Sequence, residues 1–146
     1  MIAKIKAPTG FRFKTVVQSQ YRTEIQLFDT EKYKRSDYYA RYPIGSVSLV
    51  RDPDNGFFRT HALLSYDYHH RGLGVLMYAK AIQWALSHGE RVSSSGRSSD
   101  MARRLWKSKS LRKYFMIKHL PNQLYKNDVF NKERYDRWYA YEKPGR

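Results

Sequence analysis

Between Ser65 and Gly89 the hydrophobic period of this chain changes from two to about 3.6 residues, and the change falls on Arg71-Gly72-Leu73-Gly74. Upstream, apolar and polar residues alternate as in half-buried strands. Downstream, Val75, Ala79, Ile82 and Leu86 recur at i, i+4, i+7 and i+11, one stripe of an amphipathic helix, with Lys80, Gln83 and Ser87 largely off it. His88-Gly89 then supplies a helix stop. A strand that enters a helix through a glycine-rich turn leaves first-turn N–H groups free beside the positive end of the helix dipole. Such a turn cradles an anion, a phosphate or pyrophosphate above all. Glycines let a ligand approach the main chain closely, and Arg71 adds a fixed cation at the rim. The plainer reading is a turn that only lets a helix pack tightly on a sheet.

Four alternating runs precede the loop. FRFKTVVQ sets Phe13, Thr15 and Val17 against Arg12 and Lys14, and YRTEIQLFD repeats the pattern with Tyr21, Thr23, Ile25 and Leu27. GSVSLVR turns Val47 and Leu49 inward and Ser46 and Ser48 outward; FFRTHALLSYD is the fourth run. Between the last two, Asp52-Pro53-Asp54-Asn55-Gly56 predicts an antiparallel hairpin, because proline presets a turn and Asn-Gly tolerates positive φ. The polar, tyrosine-rich segment from Tyr33 to Tyr42 reads as a contact surface.

After Gly89, RVSSS predicts a short strand. SSDMARRLWKSKSLRKYF predicts a helix with Ser98 or Ser99 as N-cap, Asp100 in its first turn, and Ala102, Leu105 and Trp106 packed inward. Pro121-Asn122 breaks the chain, and RYDRWYAYEK sets Tyr135, Tyr139 and Tyr141 against Trp138 and Ala140 as a closing strand. The expected architecture is one α+β (mixed α/β) domain over residues 1–146, a mainly antiparallel sheet flanked by helices, with neither repeat nor linker.

The 146 residues suit one domain, and 41% apolar with 16% aromatic residues suffices for a core. No cysteine is present, which excludes disulfides and thiolate metal sites; the five histidines lack metal-ligand spacing, so no metal is expected. The N-terminus has no signal-like apolar run, and no stretch of about 18 apolar residues occurs, so the expected location is cytoplasmic, without a membrane. The net charge of +15 favours acidic partners. From Met101 to Asn127 no acidic residue occurs, while Arg103, Arg104, Lys107, Lys109, Arg112, Lys113, Lys118 and Lys126 are interleaved with Tyr114, Phe115 and Tyr125. That pattern suits nucleic acid or an acidic host protein. A solvated helix face, or a landing place for ligand phosphates, explains it equally.

Known phosphate loops narrow the choice. A Walker A loop ends in Gly-Lys-Ser/Thr, which Gly74-Val75-Leu76 lacks, and the dinucleotide GxGxxG pattern would put its third glycine at Met77. Arg71-Gly72-Leu73-Gly74-Val75-Leu76 resembles the Arg/Gln-x-x-Gly-x-Gly/Ala signature of Gcn5-related N-acetyltransferases (GNAT), with Leu76 in place of the last small residue. The order of elements over residues 11–115 is also similar, and SSSGRSSDMARRLWKS looks like the matching region of small phage-encoded members.

The resemblance implies an acetyl-CoA-dependent N-acetyltransferase. The pyrophosphate would rest on the amides of Leu73, Gly74, Val75 and Leu76, with Gly72 shaping the turn. The pantetheine arm would pair with the fourth strand near Leu64 and Tyr66, and the backbone near Tyr66 would donate to the oxyanion. The acceptor, an amine of a protein, an aminoacyl-tRNA or a small molecule, would attack directly, so a base must take its proton. His61 is the candidate base; Asp67, His69 and His70 flank the loop. Aligning Ala102 with the family's Asn-x-x-Ala-x-x-x-Tyr helix puts Ser99 at the asparagine and Trp106 at the tyrosine that serves as acid. An indole N–H cannot usefully deliver a proton, which leaves Tyr114, no acid, or a catalytically inactive member that binds nucleic acid or an acidic protein.

Overall fold

The computed structural model describes residues 4–69, 71–95, 99–123 and 135–144. His70, Ser98, Tyr125 and Lys126 lie outside the described residues, as does the Tyr135 side chain.

The alternating runs form a meander: β1 (Phe11–Ser19), β2 (Arg22–Asp29), β3 (Gly45–Arg51) and β4 (Phe58–Leu64), all paired antiparallel. Ile25, Leu27, Val47 and Leu49 are fully buried on the face that α3 (Leu73–Ser87) covers. The β3–β4 hairpin turns through DPDNG, with Gly56 at φ 75°. β5 (Val92–Ser94) joins β4 in parallel, and β7 (Tyr135–Glu142) and β6 (Phe115–Gln123) complete a seven-stranded sheet in the order β1-β2-β3-β4-β5-β7-β6. α1 (Thr30–Tyr33) and α2 (Asp37–Arg41) fill the tyrosine-rich segment, and α4 (Asp100–Lys107) and α5 (Lys109–Arg112) lie between β5 and β6.

Four features depart from the sequence expectation. Val17 and Tyr21 stay 62% and 59% exposed, because β1 is an edge strand whose far end has no covering layer. The buried face of α3 keeps Ala79 and Ile82 of the expected stripe but is completed by Met77, Tyr78, Ala81 and Ala85, while Val75 and Leu86 are half-buried. The helix expected from Asp100 is two helices, split at Ser108, whose Oγ accepts from the Leu111 N–H and starts a new cap. And β6 exists although it holds Pro121: as an edge strand it tolerates the missing donor, and its register with β7 shifts between Leu120 and Gln123.

An ion pair ties the sheet across its middle. Asp52, 1% exposed in the β3–β4 turn, accepts from the Asp54 N–H at 2.8 Å through Oδ1 and from Arg137 Nη1 of β7 at 2.9 Å through Oδ2. Arg51, beside it, forks onto both carboxylate oxygens of Glu90 at 2.9 and 3.1 Å, which holds that carboxyl below its ordinary range.

Candidate functional site

The turn into α3 is built by Gly72, in the left-handed region at φ 76° and ψ 3°, where a side chain would be strained. No side chain caps the helix. The first-turn amides of Leu73, Gly74 and Val75 have no hydrogen-bond partner among the described residues, whereas the Leu76 N–H reaches the Gly72 carbonyl at 3.4 Å. The expected four-amide cradle is therefore three amides. A Cβ built on Gly74 would meet only Leu105, at 3.5 and 3.6 Å. This turn opens onto a cavity of about 230 Å³ lined by Leu64, Gly72, Gly74, Val75, Leu105 and Arg104, among others.

Beyond Thr60 the β5 side of β4 has no strand partner, because pairing with β5 covers only Phe58–Thr60 and β5 ends at Ser94. The two strands part there, and α4 lies across the gap. A second cavity, of about 440 Å³, occupies the parting. It shares Met101 and Leu105 with the first, so the two cavities adjoin along α4, one at the glycine turn and the other at the open face of the sheet. Its walls include Ser48, Thr60, His61, Tyr78 and Ser99. By alternation, Ser46 and Ser48 point away from the α3 face; they line this groove rather than bulk solvent, and Ser48 is 9% exposed.

The sequence-named residues distribute unevenly. Leu64, Gly72, Gly74 and Val75 line the inner cavity, and His61 and Ser99 line the outer one. Ser99 Oγ accepts from the Ala102 N–H at 3.2 Å as the N-cap of α4. Leu73 and Arg71 face a separate hollow beside Phe11 and Asp29, with the Arg71 guanidinium 5.3 Å from the Tyr68 ring centre. Tyr68 in turn donates to Asp29 Oδ2 at 2.6 Å. Tyr66 is 84% exposed on a single 3-10 turn (Tyr66–Tyr68) and lines neither cavity, because the chain turns away after Ser65, whose carbonyl accepts from the Tyr68 N–H. Leu76 and Tyr114 line neither cavity either; Tyr114 packs on the core with its ring 6.3 Å from Phe115. The Leu64 carbonyl is engaged by His69 Nε2 at 2.9 Å.

Two titratable groups meet at the groove. Partial desolvation, then the guanidiniums of Arg59 and Arg22, hold the His61 imidazole below its ordinary range, so it is neutral at pH 7. Tyr78, 1% exposed on α3, was not named from sequence; burial pushes its phenol up to about 12, with the neighbouring Thr60 hydroxyl acting in the opposite direction. Tyr78 sits four residues after Gly74, hence on the same helix face, and that spacing was the available clue. Trp106 is fully buried, edge-on to Tyr78 at 6.0 Å, and its Nε1 has no hydrogen-bond partner among the described residues.

The basic helices divide by role. Arg103 pairs with Asp136 at 3.0 Å and Lys107 lies 5.9 Å from the Trp138 ring centre, both fixing α4 to β7. Arg104 reaches the inner cavity beside the glycine turn. Lys109, Arg112 and Lys113 are exposed. Among the described residues no three His, Cys, Asp or Glu side chains cluster as metal ligands, and no helix is long and apolar enough to cross a membrane.

No protein-family model matches the sequence, and no curated protein matches it. Solved structures do match. The acetyltransferase from Salmonella typhimurium described as modifying the N-terminal serine of ribosomal protein L7/L12 is 12% identical, with a TM-score of 0.51 over 85% of this chain and 65% of that one. The spermidine N-acetyltransferase SpeG chimera from Vibrio cholerae and hSSAT is also 12% identical, with a TM-score of 0.50 over 85% of this chain and 68% of that one. The GNAT-family acetyltransferase from Streptococcus pneumoniae is 17% identical over 84% of this chain and 66% of its own length, with a TM-score of 0.48. The chain spans about two thirds of the length of these structures. The likeness is one of fold: the mixed, mostly antiparallel seven-stranded sheet with flanking helices is shared with these two acetyltransferases.

Proposed function

We propose that the chain is an acetyl-CoA-dependent N-acetyltransferase that acetylates an amine by direct attack. The observation that carries this reading is the adjacency of two cavities along α4, one at the helix-start amides that are unpartnered among the described residues and one at the parting of β4 and β5. The residues present fit the nucleotide thioester: the amides of Leu73, Gly74 and Val75 for the pyrophosphate, Arg104 for a further phosphate, and the Ala62 main chain with the Leu64 N–H, on the β4 edge beyond its pairing with β5, for the pantetheine amides. When bound, acetyl-CoA supplies an activated acetyl group. His61, neutral at pH 7, takes the proton from the acceptor amine. The Tyr78 phenol, protonated at that pH, holds a proton at Oη for the departing sulfur, in place of the family tyrosine that Trp106 displaces. Tyr114 has no part in this reading. The place of action that goes with it is the cytoplasm, the host's if the phage-encoded likeness extends to origin.

Titration calorimetry with acetyl-CoA tests the reading: binding in the micromolar to millimolar range is expected, and the absence of heat and of any thermal shift would sink it. Tyr78→Phe is expected to lower kcat about 10²-fold or more while leaving acetyl-CoA affinity within about threefold, as loss of a general acid does. An unchanged kcat would remove Tyr78 from the chemistry. The exposed Lys109, Arg112 and Lys113 keep a second reading in view, a basic GNAT-fold protein binding nucleic acid or an acidic protein. It requires polynucleotide affinity that falls about 10³-fold or more between 50 and 200 mM salt.

A further inference from the structure

The outer half of the groove carries a chemical preference that the transferase reading leaves open. On the open face of the sheet, His61 stands in register with Ser48 on β3, and Ser48 Oγ accepts from Arg22 Nη2 of β2 at 3.2 Å. Strands lie about 4.8 Å apart, so the Arg22 guanidinium hangs over β3, one strand from His61. Hydroxyls of Ser46, Ser48, Thr60 and Ser95 line the same cavity, and no Asp or Glu occurs among its described lining residues. Glu24, the carboxylate that stands in register with Ser48 on β2, lies within 3.4 Å of the Gln26 amide and forms no ion pair with Arg22. A permanently charged, planar donor thus faces the cavity without a carboxylate partner, one strand spacing from the candidate base.

From this geometry we infer that the acceptor is an amine bearing an anionic oxygen group, a carboxylate or a phosphate ester, which Arg22 receives while His61 meets the amine. This rests on the transferase reading. Guanidinium binds either anion through paired N–H donors, whereas a polyamine would set like charges together in a cavity that offers it no described carboxylate. The transfer balances: the new C–N bond forms as C–S breaks, the amine proton goes to His61, and the thiolate takes a proton from Tyr78.

The test reads binding apart from turnover. The His61 ring resonance, assigned with His61→Gln, is followed while glycine, O-phosphoethanolamine, ethanolamine or spermidine is added. Glycine or O-phosphoethanolamine is expected to shift it, the stronger of the two identifying carboxylate or phosphate as the natural group. Arg22→Gln is expected to weaken that binding about tenfold or more, and in turnover to raise KM by the same factor with kcat nearly kept. An equal or stronger response to spermidine or ethanolamine, silence to all four, or indifference to Arg22→Gln overturns the assignment. If acetyl-CoA gives no calorimetric signal while the anionic amines still bind, the transferase reading falls and the Arg22 anion site stands.

Discussion

Gly74→Glu is expected to abolish acetyl-CoA binding, by about 100-fold or more, while the protein stays folded. Position 74 is helical and does not require glycine for its backbone angles, since among the described residues the glycines with positive φ are Gly10, Gly56, Gly72 and Gly89. Its Cβ would make ordinary contact with Leu105 at 3.5 Å, so the backbone has room. A carboxylate in the first helical turn is even favoured by the dipole, by about 0.3–1 kcal/mol. The same carboxylate would occupy the groove and repel a diphosphate at the three unpartnered amides. Calorimetry with thermal unfolding checks both halves: lost heat at an unchanged or raised Tm is the expected pair. Gly74→Ala is the control, adding only a methyl group and keeping most of the affinity. Retained binding in Gly74→Glu would show that the loop does not hold the ligand.

Asp52→Ala is expected to destabilise the fold by about 3–5 kcal/mol, because it strands the guanidinium of Arg137, 6% exposed, without its carboxylate. It also orphans the Asp54 N–H that organises the turn. The double variant Asp52→Asn with Arg137→Met is expected to recover much of that loss, since an amide still accepts from Asp54 and the Arg137 charge is gone, leaving the partly exposed Arg59, 3.9 Å from Asp52 Oδ2, as the remaining cation. Urea unfolding monitored by tryptophan emission reads both, at constant m-value. A loss below about 1 kcal/mol for Asp52→Ala would mean that water reaches the pair.

The meander, the DPDNG hairpin, the α3 helix and its glycine start were legible because each is written in local periodicity or turn chemistry. What local pattern could not supply was everything set by strand order. β6 looked broken at Pro121, and only its place at the sheet edge makes proline acceptable there. Ser46 and Ser48 read as solvent-facing, since the helix α4 that roofs their face lies more than fifty residues downstream. Tyr78 lies inside a helical stripe, where an aromatic residue signals core; the role proposed for it depends on β4 and β5 parting beneath it. Counting back from Arg71 places Tyr66 on the fourth strand, whereas the 3-10 turn closed by the Tyr68 N–H on the Ser65 carbonyl carries it away.

The brevity of β5 has a mechanical consequence. Among the described residues, strand pairing between the two leaves of the sheet, β1–β4 and β5–β7–β6, is confined to Phe58, Arg59 and Thr60. The remaining cohesion comes from α3 packed as a spine behind both leaves and from two clasps, Asp52–Arg137 and Arg51–Glu90. A molecule threaded through the gap would add rungs that the polypeptide itself omits. Ligand binding and the joining of the leaves are then one event, and a loaded protein should resist prying apart along this hinge line far better than an empty one.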